Sequence, residues 1–135
     1  MLSQEVLSAA AAVEKKMYLA LCEVEELTME LAQAVDRRDQ VSVRMFLSLR
    51  QEQVDRLQEQ KALLNKQCAQ LPDQDGTLLN QLLNAKEPPP CAGAEELLRQ
   101  VQRNRLLLER ILRADRQASR RLGGAGSFYE KDGQP

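Results

Sequence analysis

The chain contains no histidine and no tryptophan, and only two phenylalanines and two tyrosines among its 135 residues. Without histidine it lacks the commonest general base and the commonest metal ligand. With so few aromatics, any core has to be built from aliphatic side chains, each smaller than a ring. The three cysteines, Cys22, Cys68 and Cys91, are far apart and form no C-x-x-C pair. That spacing argues against a zinc site and against a disulfide framework, and predicts reduced thiols. Cys22 and Cys68 fall on apolar helical positions, where a thiol packs as a small hydrophobe. The glycines stand at 76, 93 and beyond 122, so no glycine-rich phosphate loop is present. No apolar run approaches the roughly 18 residues needed to cross a bilayer, and Glu5 sits where a signal peptide carries positive charge. The expectation is a soluble cytoplasmic protein with no membrane insertion.

Acid–base chemistry is poorly provided for. The carboxylate pairs Glu25–Glu26 and Glu95–Glu96 are adjacent in sequence, so on a helix they point to different parts of the surface. Serine, cysteine and tyrosine are present, but no histidine is available to activate them. The chain is expected not to be an enzyme and to use no cofactor and no metal.

Charge is plentiful and nearly balanced, at 19 basic against 20 acidic residues, yet it is unevenly distributed. Residues 1–39 carry eight acids and four bases, a net −4, and residues 94–122 carry eight arginines and four acids, a net +4. Opposite signs suit two helices packed side by side, or a basic face that meets an acidic partner. The arginines from Arg99 to Arg121 spread around most of a helix at about 100° per residue instead of forming one stripe. No aromatics are interleaved for base stacking, and the pI near 5.6 is acidic. A nucleic-acid partner is therefore not expected.

Helical periodicity dominates the rest. From Ser3 to about Asp36 the apolar stripe runs Met17, Leu21, Val24, Leu31, Val35, with Thr28 as its one polar member. "DRRD" interrupts, and Asp39 is placed to cap a second helix that reaches about Leu71. The second stripe is Val43, Leu47, Arg50, Val54, Leu57, Lys61, Leu64, Cys68, Leu71. Arg50 and Lys61 are expected to lay their stems along it with their charges in water. "PDQDGT" (72–77) reads as a turn in which Pro72 and Gly76 stop the helix, "LLNQLLNAK" as a short amphipathic helix, and "EPPPCAG" as a stiff polyproline linker. The last helix has the seam Leu97, Val101, Asn104, Leu108, Ile111, Asp115, Ala118, Leu122, widened by Leu98, Leu107 and Leu112. Gly123 is expected to end it.

Three helices of roughly 34, 32 and 29 residues would span about 51, 48 and 43 Å. The predicted fold is all-α: an elongated antiparallel helical bundle, with a hairpin over 1–71, a linker with a short helix over 72–93, a C-terminal helix over 94–122 and a flexible tail over 123–135. Asn104 in a leucine seam has two readings. It fixes the register of the bundle, or it marks a seam left partly open to a partner helix. Leu106, Leu107, Leu108, Ile111 and Leu112 together exceed what one seam would bury.

The long hairpin with "LRQEQVDRLQEQKALL" in its second arm resembles the FlgN family of flagellar export chaperones. So do the final helix "NRLLLERILRADRQASRRL" and the glycine-rich tail with an aromatic and "YEKDG". "EPPP" is a sharper break than that family's pattern requires. The resemblance implies a cytoplasmic all-helical protein that binds hook-associated (hook–filament junction) subunits and delivers them to the flagellar type III export gate. It implies that the client helix lies on Leu98, Val101, Asn104, Leu107, Leu108, Ile111 and Leu112, and that Phe128 and Tyr129 dock to the gate. The alternative from another class is a structural coiled-coil protein that uses its surplus apolar face for homo-oligomerisation.

Overall fold

The computed structural model describes residues 2–121, and over them the chain forms four helices and no strand. Helix α1 covers Gln4–Asp36, α2 Gln40–Gln70, α3 Asp73–Asn84 and α4 Glu95–Arg121. Each boundary has a local cause. Ser3 accepts the amide of Val6 at 3.2 Å and caps α1. At the other end Arg38 takes a left-handed φ of 58°, Asp39 N–H donates to Ala34 O and Arg38 N–H to Val35 O. That is a Schellman ending with arginine in the place where glycine is usual. Asp39 then caps α2 as predicted, accepting from both the amide and the hydroxyl of Ser42 at 3.1 and 2.6 Å. These hydrogen bonds, with Arg37 alongside, hold its carboxyl below the usual range.

The segment predicted as a turn at 72–77 is corrected by the structure: the break is confined to Leu71 and Pro72, and α3 begins at Asp73. Asp73 and Asp75 occupy its first turn, beside the positive end of the helix dipole. Gly76 does not stop a helix but lies buried inside one. A Cβ there would stand 2.5 Å from the Cys68 carbonyl oxygen, so glycine allows α3 to fold back closely on the end of α2.

α1 packs along both α2 and α4, and α3 packs on α2 and α4, whereas α2 and α4 approach each other only weakly. α2 runs antiparallel to α1, and α4 runs parallel to it, as the pairs Lys15–Glu96, Glu25–Arg110 and Leu31–Ala118 establish. The opposite charges of the first and last helices are used in this packing. Arg110 makes a two-pronged contact with Glu25 at 2.9 and 3.0 Å, and Arg103 lies 3.8 Å over the Tyr18 ring.

The core is divided along its length. One cluster joins Leu7, Leu64, Leu79, Leu82, Leu97 and Val101; a second holds Leu21, Val24, Leu107 and Ile111; a third holds Leu31 and Ala118 with Phe46 and Leu47 against them. On α4 the boundaries between clusters fall at the buried polar residues Asn104 and Asp115. Cys68 is partly buried in the first cluster, and desolvation pushes its thiol pKa up, as suits a packing role.

Candidate functional site: a groove between the second and fourth helices

Because α2 and α4 each lean on α1 without closing on each other, a trough runs between them with α1 as its floor. At one end α3 fills it, burying Leu79 and Leu82. At the other end Arg50 of α2 reaches across to Asp115 of α4 at 2.6 Å. Between these two closures the trough is open and encloses about 480 Å³. Met17 and Leu21 of α1, Val54 and Leu57 of α2, and Leu108 of α4 give it apolar walls.

The exposure of α4 records the opening directly. At 100° per residue, Leu97, Val101 and Leu108 share one strip of the helix. Leu97 and Val101 lie beside α3 and are 1% and 7% exposed, whereas Leu108, past the end of α3, is 44% exposed. Leu112, one turn on, is also exposed, and the strip is covered again at Asp115.

The floor of the groove is polar at one place. Glu14 is buried, and Asn104 donates through Nδ2 to the Glu14 carbonyl oxygen at 2.8 Å and to its Oε1 at 3.3 Å. Gln100 Nε2 donates to Asn104 Oδ1 at 3.3 Å. Burial raises the Glu14 pKa; the Asn104 hydrogen bond and the charges of Lys61 and Arg105 pull it back only in part. Those two cations stand at the α3 end of the groove. Lys61 Nζ donates to Asn84 Oδ1 at 3.2 Å, and Arg105 NH2 to the Ala85 carbonyl at 3.4 Å. Both therefore sit at the negative end of α3.

The residues expected to receive a client divide into two groups. Val101, Leu107 and Ile111 are buried in core clusters and Asn104 is bonded to Glu14, while Leu98 is half-buried against the first cluster. Leu108 and Leu112 remain exposed, and of these Leu108 lines the groove. Leu107 and Leu108 straddle the seam, and α1 covers the 107 side. Asn104 thus ties α4 to α1, and the same residue also lines the groove. Phe128 and Tyr129 lie outside the described residues.

Two expectations for α2 come out differently. Arg50 does not extend its charge into water but buries it against Asp115. Lys61 does stay exposed, at the mouth of the groove. Sequence reading missed the contributions of Met17, Leu21, Val54, Leu57 and Leu83 to the groove wall. The available signal was Lys61, a cation that interrupts the apolar stripe of α2 where the groove opens.

Among the described residues no group of three or more His, Cys, Asp or Glu side chains is placed to hold a metal ion, and no helix is long and apolar enough to cross a membrane. Comparison with protein-family models, with curated proteins and with solved structures returned no match.

Proposed function

We propose that this chain is a cytoplasmic export chaperone whose groove between α2 and α4 receives an amphipathic helical segment of a hook-associated flagellar subunit. It holds that segment before secretion and hands it to the type III export gate. The observation that carries this reading is the change along one strip of α4, from fully covered at Leu97 to 44% exposed at Leu108, beside an apolar trough wide enough to hold side chains. Helix-in-groove recognition needs an apolar stripe that the fold itself leaves uncovered. The groove walls supply apolar contact and no obvious nucleophile, which suits binding. In this reading Phe128 and Tyr129 serve the second step, at the gate.

The test uses C-terminal peptides of hook-associated subunits and two variants. Leu108→Asp replaces an apolar contact of the groove by a carboxylate that the occupant would desolvate, and should abolish binding while the bundle stays folded. Deleting residues 124–135 should leave peptide binding intact and abolish binding to the gate. Normal peptide binding by a folded Leu108→Asp protein would overturn the proposal.

A further inference from the structure

We infer that the groove takes an amphipathic helix of about three turns that runs parallel to α3 and carries acidic residues in its first turn. This rests on the helix-binding reading above and adds the length, direction and charge of the occupant.

Length follows from the two closures. The two closures are separated by the stretch from Arg105 to Asp115 on α4, and by that from Lys61 back to Arg50 on α2. Either way it covers about 15 Å, or three turns of a helix at 5.4 Å each. What belongs there is indicated by α3, which already occupies the other part of the same trough and buries Leu79 and Leu82 between the same neighbours. The open part continues the α3 site in line, so a second amphipathic helix laid end to end with α3 meets the same kind of walls.

Direction follows from charge at the junction. The C-terminal end of α3 carries partial negative charge, but two full positive charges stand beside it. Lys61 and Arg105 converge on that junction from opposite walls. Glu14 is the opposing group there, but it is buried on the floor and hydrogen-bonded by Asn104. The exposed rim at the junction is therefore cationic, and it suits Asp or Glu in the first turn of the occupant, where such residues also favour their own helix. A reversed helix would have to carry those acids in its last turn, where they oppose its own dipole.

Two 12-residue peptides of identical composition, acetylated and amidated, test this. Both carry leucines at i, i+3, i+4 and i+7; one has its two glutamates in the first turn, the other in the last. Their affinities for the full chain are measured by anisotropy, for the wild type and for Lys61→Gln/Arg105→Gln. Differences in peptide helicity cancel in the ratio of ratios. The preference for the first peptide should fall about tenfold in the double variant at low salt, and the effect should shrink at high salt. A nitroxide on the first peptide's N-terminus should broaden the amide signals of Asn84 and Ala85. An unchanged preference, broadening around Asp115 instead, or a peptide that binds only as a dimer of this chain dissociates would overturn the inference. If neither peptide binds, or Leu108→Asp affects neither, the helix-binding reading falls with it.

Discussion

Arg50 and Asp115, 65 residues apart in sequence, form a buried ion pair with NH2 and Oδ2 at 2.6 Å. It is the tie between α2 and α4 at the far end of the groove, where Asp115 is wholly inaccessible to water. Two ions were taken out of solvent to make it, so its net contribution to stability is small compared with the cost of breaking it.

Removing Asp115 takes away the carboxylate against which the buried Arg50 guanidinium is held. Asp115→Ala should therefore destabilise the protein by about 3–5 kcal/mol in urea unfolding. The double replacement Arg50→Met/Asp115→Leu should recover most of that loss. A single variant as stable as the wild type would mean that the pair does not hold α4 to α2.

Glu14 makes stability depend on pH. Its folded pKa lies above the ordinary 4.5 because burial disfavours the carboxylate. The stability associated with its neutral form is fully present below the ordinary value and is lost as pH rises through the raised one. Glu14→Gln keeps an oxygen for Asn104 and stays neutral at every pH. It should melt higher than the wild type at pH 7, and the two should converge as pH falls below the ordinary carboxylate range.

Adjacent leucines should respond differently. Leu107 is 2% exposed in the second core cluster, and Leu107→Ala should cost about 2–5 kcal/mol. Leu108→Ala should cost much less, because a large part of that side chain already faces water. Equal losses in denaturant titrations would show that the groove is closed in solution.

Arg38 holds a left-handed conformation that a side chain disfavours and glycine does not. Arg38→Gly should stabilise the hairpin by about 0.5–1 kcal/mol, read as a rise in urea midpoint. A loss would mean that the Arg38 side chain contributes more than its backbone strain costs.

Much of this architecture was legible in the residues. The extents of α1 and α2, the start of α4, the cap at Asp39 and the all-helical class follow from periodicity and from short-range hydrogen bonding, which act within a few positions of the chain. The exposed Lys61 and the pairing of an acidic first helix with a basic last one were equally readable. Where a local pattern had two long-range outcomes, sequence could not choose. Gly76 suits a turn or a close helix contact, and only the approach of Cys68 decides for the contact. Arg50 on an apolar stripe either reaches water or meets a buried acid, and Asp115 lies on a helix that sequence alone cannot bring to it. Leu107 and Leu108 differ by 100° about the same axis. Which of them enters the core depends on where α1 lies, and which is left at an open groove depends on how far α2 stands off and where α3 ends. Helix formation is local and was written in the sequence; the groove is a gap between helices, so tertiary packing alone decided its position.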